Sequence, residues 1–279
     1  MRIEDGKVFV RQSWLGDSLL CLERGRLMMT QPEFRTTNDS AMLGTAVHAG
    51  IEAVLTNKIE ARDAHHVSVA KLNELQLNDN VKITNTDPST WEPLVTSMTK
   101  AWVDGVMPEV PLGGEVEYKF AVPTGRMVSG LELWFEGTMD YVHESGVWDW
   151  KTAARKYSLL EKQTQNIQSA IYSGASVNLG LCSHDMEGGI DFRFGVMVRS
   201  LKGDTQILSV RRGKAHWDWV VEQAATIVGA YLALREGEAF TNAMPKNDQH
   251  FLCSDRWCPW WSVCKGVFIQ DKDNKLGDQ

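Results

Sequence analysis

The stretch GTMDYVHESGVWDWKT, Gly137 to Thr152, constrains the fold more tightly than any other part of the chain. Alternating apolar and polar residues flank the turn-forming run Glu144, Ser145, Gly146, which predicts two strands joined by a tight turn. Because side chains alternate across a strand, Asp149 and Lys151 project to one side and Trp148 and Trp150 to the other. On the partner strand, Asp140 lies on the face opposite Met139 and Tyr141. A register that sets Asp140 beside Asp149 brings two carboxylates and an ammonium onto one patch. Such a patch can hold a hard divalent cation through carboxylate oxygens and put a lysine next to an attacking water or a phosphate oxygen.

Helical spacing predicts a short helix over Arg11–Leu27, an amphipathic helix over Asn38–Asn57, and further helices over Ala61–Asn80 and Thr90–Val106. In the second of these, Asn38, Asp39 and Ser40 supply capping groups and Leu43, Val47, Ile51 and Leu55 form the apolar stripe. His48 sits one position off that stripe, with Gly44 and Glu52 on its own side. Gly44 lets a backbone or a nucleotide come close, and Glu52 is placed either to reach a metal or orient His48, or to face solvent. After Pro111–Gly114 the period becomes strand-like, with Val116, Tyr118 and Phe120 alternating with Glu117 and Lys119, and Leu131–Phe135 reads as a further strand.

Ser158–Leu179 reads as a helix carrying a polar row of Glu161, Gln165, Gln168 and Tyr172. Glutamine can bond a phosphate oxygen, a base edge or the lysine, and tyrosine can stack on a base. Strands over Ile190–Ser200 and Thr205–Arg212 and a long helix over Lys214–Leu234 follow. Arg199, Lys202, Arg211, Arg212 and Lys214 make the most basic local run, offering phosphate contacts or simply a solvated hairpin rim.

A net charge of -7 is unfavourable for a protein whose whole surface grips nucleic acid. A local basic groove suffices to hold a nucleic acid, and bound cations offset the charge of an acidic metal site. No run approaches the roughly 18 apolar residues of a membrane span, and MRIEDGKVFV lacks a signal peptide's basic and apolar regions. The expectation is a cytoplasmic protein with no membrane association, bacterial or phage-encoded. The sequence has no G-x-x-x-x-G-K-[ST] loop, so any unwinding must come from a helicase partner.

An aspartate and then D-W-K-T after a hairpin, His48 upstream in GTAVHAGIE, and Gln168 and Tyr172 downstream in QSAIY together resemble the catalytic core of the PD-(D/E)XK nuclease superfamily, in its RecB-like branch. The resemblance covers roughly residues 11 to 265. It implies an α/β fold with a restriction-endonuclease-like central mixed sheet flanked by helices, forming one nuclease domain over 1–279 with its core at about 38–212. It implies that His48, Asp140, Asp149 and the carbonyl of Trp150 bind Mg or Mn, that Lys151 positions or deprotonates the attacking water, and that Gln168 and Tyr172 orient the strand. Glu52 and Glu117 would be accessory acids. The implied activity is that of a DNA exonuclease working at DNA ends or in single strands, for recombination, repair or end processing. The alternatives are a catalytically silent DNA-binding scaffold and a subunit of a larger recombination or spacer-acquisition complex.

Five cysteines cannot all pair. Cys253, Cys258 and Cys264 fall close together in FLCSDRWCPWWSVC, and closely spaced cysteines in an intracellular protein are more often metal or cluster ligands than disulfides. Three thiolates need a fourth ligand, for which Cys21 is the natural candidate, while Cys182 reads as structural. One early and three late cysteines around a nuclease core resemble the iron-sulfur subgroup of RecB-like nucleases, which includes AddB-type subunits and CRISPR-associated RecB-like exonucleases. That resemblance implies a 4Fe-4S cluster on Cys21, Cys253, Cys258 and Cys264, and a cluster-bearing clasp in which helix 11–27 and segment 213–265 tie the chain ends together. Those relatives usually leave two residues between the first two tail cysteines, where this chain has four. Zinc is the rival, with His250 available as a fourth ligand.

Overall fold

The computed structural model describes residues 1–77, 81–84, 86–164, 166–235 and 244–265. Gln165 of the predicted polar row and the end of the predicted helix at Asn80 lie outside the described residues. The chain opens with β1 (Arg2–Glu4), β2 (Lys7–Arg11), α1 (Gln12–Leu20) and α2 (Leu22–Thr30). A helical region follows: β3 (Thr37–Asn38), α3 (Asp39–Leu55), α4 (Ala64–Gln76), β4 (Val81–Lys82) and α5 (Trp91–Gly105). Next come β5 (Glu115–Val128), β6 (Leu131–His143), β7 (Gly146–Ala153), α6 (Leu159–Thr164) and α7 (Ile167–Asn178). The last elements are β8 (Ile190–Val198), β9 (Thr205–Arg212), α8 (Lys214–Ala233) and α9 (Trp261–Lys265).

The sheet is mixed and flanked by helices, as expected, with order β1-β2-β6-β7-β8-β9 and β5 paired to β6. β5 runs antiparallel along the length of β6, so β2 and β7 share the remaining edge of that strand. β2 lies parallel to β6 from Glu132 to Glu136, and β7 antiparallel from Tyr141 to His143. On that edge residues 137–140 have no ladder partner among the described strands, and the site opens there.

The two faces of the sheet bury separate cores. Val10, Phe135, Phe192 and Phe194 pack with α1, α7 and α8, while Trp148 and Trp150 pack with Leu43, Val47 and Ile51 of α3 and Trp102 of α5. Full burial of each large apolar side chain contributes about 1.5–3 kcal/mol, so β7 is fixed by the tryptophans that alternate with its functional residues.

Several expectations change. The predicted helix over Arg11–Leu27 is two helices, broken at Cys21, whose φ of -160° and ψ of 116° are extended. The helix over Ser158–Leu179 is likewise two, because Asn166 caps a fresh start by accepting the Ser169 N–H at 2.7 Å. The predicted strand Leu131–Phe135 and the first hairpin strand are one continuous β6. Asp140 was placed opposite a face shared by Met139 and Tyr141, yet those two residues enter different cores, so the pleat breaks at Asp140.

Residues 20–31 meet residues 244–260. Asn247 donates to the Leu20 carbonyl at 2.9 Å, the Met244 N–H donates to buried Glu23 at 2.8 Å, and fully buried Trp260 donates to the Gln31 carbonyl at 3.2 Å. No described helix is long and apolar enough to cross a membrane.

Candidate active site

Below Tyr141 and Trp148 the hairpin strands part, and Asp140 fills the vacated ladder position: its Oδ2 accepts the Trp150 N–H at 2.7 Å. Trp150, anchored in the α3–α5 core, turns its carbonyl the other way, where His48 Nε2 donates to it at 2.8 Å. That hydrogen bond puts a proton on Nε2, and Nδ1 lies 3.8 Å from Asp140 Oδ2. The predicted meeting of a helix imidazole with the hairpin acid is therefore present in the geometry.

Glu117, expected as an accessory acid, joins them. Its position lies across from Asp140 in the β5–β6 register, and its φ of 50° is left-handed. A non-glycine residue held there costs on the order of 1 kcal/mol or more and persists only when its surroundings enforce it. The result is that His48, Glu117 and Asp140 each offer a ligand atom within 4.8 Å of the other two. Burial first, and then Asp140, raise the Glu117 carboxyl above the ordinary range, as expected of acids crowded at a cation site. Ligands at right angles around a magnesium ion sit about 3 Å apart and opposite ones about 4 Å, given bonds of 2.0–2.1 Å. Three donors within 4.8 Å of one another approach the wider of those spans.

Asp149 is wholly buried. Its Oδ1 accepts from Gln168 Nε2 at 2.7 Å, and its Oδ2 lies 2.7 Å from Lys151 Nζ but takes no well-aligned hydrogen bond. A buried carboxylate oxygen without one is unusual. Burial, partly countered by Lys151, raises its carboxyl to about 6. Burial also opposes the Lys151 charge, but Asp149 and Asp140 outweigh it and keep the ammonium charged.

Gln168 thus donates to a carboxylate of the site. Tyr172, proposed to orient the strand, is 5% exposed and packs edge-on against Phe120 at 5.5 Å, which leaves no ring face for a base. Burial raises its hydroxyl to about 12, and Gln168 is its side-chain partner. Glu161 stands apart on α6, and Glu52, also on the cleft, pairs with Lys58 at 3.6 Å. The cleft has a volume of about 650 Å³, with Ser40, Gly44, His48, Glu117, Lys151 and Thr152 among its walls.

Of the basic run, only Arg199 reaches this region, where it bonds Ser40. Buried Arg212 caps the end of α6 through the Lys162 and Gln163 carbonyls, Arg211 bonds the Gly188 carbonyl, and Lys214 pairs with Asp218. Tyr157 went unnoticed in the sequence. Burial and then Lys151 act on its hydroxyl, so it neighbours the lysine, but it lies beyond the strand in an irregular segment that no periodicity marks.

All five cysteines are free thiols. Cys21, Cys253, Cys258 and His250 line one pocket of about 30 Å³. Cys264 is not in its wall but feels Cys258, and burial raises both thiols. Among the described residues no three of these sulfurs gather within 4.8 Å, whereas tetrahedral zinc would hold its thiolates about 3.8 Å apart. Arg24 bears on Cys258, and Lys246 and Lys265 on Cys264, which suits an anionic metal group. Cys182 lies elsewhere, donating to the His143 carbonyl at 3.4 Å.

Acids, an imidazole and a held ammonium at the parting of two strands are the equipment of a divalent-metal phosphodiesterase. The family model of the PD-(D/E)XK nuclease superfamily matches residues 21–265, and the chain belongs to that superfamily. It is thereby a metal-dependent nuclease, with DNA as the implied substrate. A solved structure, the crystal structure of SSO0001, resembles 91% of this chain and 95% of that one at 10% identity and a TM-score of 0.33, too distant to support an inference. No curated protein matches.

Proposed function

We propose that the protein is a RecB-like exodeoxyribonuclease, using Mg or Mn to hydrolyse phosphodiester bonds at DNA ends or in single strands. The observation that carries this reading is the convergence of His48, Glu117 and Asp140 within 4.8 Å beside the Asp149–Lys151 pair. His48, Glu117, Asp140, Asp149 and the Trp150 carbonyl would hold the cation. A bound divalent cation lowers the pKa of a coordinated water and polarises the phosphate. Lys151 is a charged donor at one edge of this group. It orients the attacking water and offsets charge developing on the phosphorane-like transition state, and its raised pKa argues against its taking the proton. Gln168 fixes Asp149, and Tyr172 supports Gln168 from the core.

Digestion of end-labelled oligonucleotides with Mn tests the reading. Asp149→Ala and Lys151→Ala should each abolish cleavage, and covalently closed single-stranded circles should survive. Undiminished metal-dependent cleavage by both variants would refute the site, and cleavage of circles would refute the exonuclease assignment.

We also infer that the four cysteines Cys21, Cys253, Cys258 and Cys264 hold a 4Fe-4S cluster. All-thiolate donors, wide sulfur spacing and surrounding cations support it. One observation favours zinc instead: His250 shares a small pocket with three of the cysteines, completing a Cys3His set. Anaerobic purification with absorbance spectra and iron and zinc analysis decides between them. The pathway served, in recombination, repair or spacer acquisition, with or without a helicase partner, follows from the RecB-like resemblance alone.

A further inference from the structure

A second cavity of about 560 Å³ lies beside the catalytic cleft, lined by Asn38, Ser40, Thr86, Ala154, Arg199 and Trp257. Ser40 forms part of both walls, so the two spaces adjoin at the first turn of α3. The cavity also reaches the residue just past the end of β7, Ala154. The Arg199 N–H donates to the Ala153 carbonyl at 2.8 Å, and Ala154 is three residues past Lys151, about 10 Å at the ~3.3 Å rise of a strand. That separation corresponds to one or two nucleotides of an extended strand.

Its chemistry differs from that of the cleft. None of its lining residues is acidic, and one guanidinium is among them: Arg199 donates to the Ser40 hydroxyl through Nη1, while its buried Nε has no hydrogen-bond partner among the described residues. The cysteine-bearing segment adds Trp257 to the lining. Two ties hold that segment in place, Lys82 donating to the Asp255 carbonyl at 3.1 Å and Arg256 to the Thr84 carbonyl at 2.9 Å. Arg256 also stacks on the Trp257 ring, 4.9 Å from its centroid. A cation and an aromatic ring in one groove are what a single strand uses, the cation taking a phosphate and the ring a base. A duplex keeps its bases stacked inside and offers no face to such a ring. In a chain of net charge -7, this local arrangement supplies the attraction for a polyanion that the overall surface lacks.

We propose that this cavity is a subsite for single-stranded DNA next to the scissile phosphate, with Arg199 on a backbone phosphate and Trp257 stacked on a base. The proposal rests on the nuclease reading for its direction but needs no cleavage for its test. Fluorescence anisotropy with a labelled twelve-nucleotide thymidine oligonucleotide, in buffer free of Mg and Mn, measures binding without turnover. Arg199→Ala should weaken binding about tenfold and lower the salt slope by about 0.7, the loss of one single-strand phosphate contact. Trp257→Ala should also weaken binding about tenfold, within the range for one stacked base, with an unchanged salt slope. An abasic oligonucleotide should bind the wild-type protein as weakly as Trp257→Ala binds the normal one, and should bind Trp257→Ala no worse. Should Trp257→Ala melt below the wild type, Trp257→Phe should restore affinity, and the abasic comparison on wild-type protein carries the stacking test. Wild-type affinity and salt slope in folded Arg199→Ala and Trp257→Ala would overturn the subsite. Loss of cleavage chemistry alone, with these binding differences intact, would overturn the nuclease reading and leave the subsite standing.

Discussion

Replacing Asp149 by asparagine should stabilise the metal-free protein while destroying its activity. The carboxylate is wholly buried, and burial raises it from 3.8 to about 6 even with Lys151 beside it. At pH 8 the folded chain therefore carries an ionised group that it would bind as an acid, a strain the unfolded chain does not share. Two pKa units correspond to about 3 kcal/mol. The sign follows from the direction of the shift: the penalty is complete above the folded value near 6, shrinks as pH falls, and disappears below the unfolded value near 4. Asp149→Asn removes the charge and keeps an oxygen for Gln168, but turns an amide toward Lys151, which offsets part of the gain. A net gain of about 1–2 kcal/mol raises Tm by roughly 2–8 °C for a chain of this size. Calorimetry in Mg- and Mn-free buffer at pH 8 and near pH 4.5 measures it, with the difference from wild type expected at the higher pH and closing at the lower. A variant that melts at or below the wild-type temperature at pH 8 would refute the claim that burial of this charge strains the fold.

Glu117→Gly should raise Tm by a few degrees, since glycine adopts the left-handed φ of 50° at no steric cost, and should weaken Mn binding at least tenfold by calorimetric titration. A drop in Tm would show that the strain is not local. Gln168→Leu leaves Asp149 Oδ1 without its donor, a loss of about 1–3 kcal/mol, and should lower both Tm and kcat. Tyr172→Phe removes one hydroxyl from a packed ring and should cost about 1 kcal/mol, with kcat within about threefold of wild type. A far larger loss of kcat would return Tyr172 to the substrate. Cys21→Ala should empty the cysteine site, read as loss of bound iron or zinc by elemental analysis with Mn-binding stoichiometry unchanged.

What the sequence revealed of the site was what short-range periodicity encodes. The hairpin turn, the alternation of Trp148, Asp149, Trp150 and Lys151, and the capped helix carrying His48 all follow from spacing, and the coordinates contain each of them. The strand β2 escaped notice because KVFVR is short and its partner, β6, lies more than a hundred residues away. The breaks at Cys21 and Asn166 were hidden because the residues on both sides keep helical spacing, and only the cap at Asn166 and the extended backbone at Cys21 interrupt it. Gln168 was found, but its partner could not be read from its type, since an amide serves a phosphate and a carboxylate equally well. The same limit applied to the basic run, whose members disperse to helix caps and carbonyls.

The least legible feature is also the one that builds the site. Asp140 and Glu117 are neighbours in the β5–β6 register, and the space beside them opens because β6 changes partner along its other edge, from β2 to β7, and the pleat slips where neither partner pairs. Regular strands would have kept Met139 and Tyr141 in one core and closed the ladder over Asp140. Instead the carboxylate takes the Trp150 N–H in place of a strand carbonyl, and the freed space becomes the cleft. Trp148 and Trp150 hold β7 rigid through this opening, with Trp150 edge-on to Trp102 at 5.6 Å. The tryptophans are thus as much a part of the chemistry as the acids: Trp150→Ala would release both the backbone N–H that fixes Asp140 and the carbonyl that fixes His48. Its loss of Mn affinity should therefore exceed that of His48→Ala, in titrations under the same conditions, although the Trp150 side chain touches no ligand of the cation. Equal losses would mean that the strand keeps its shape without the ring.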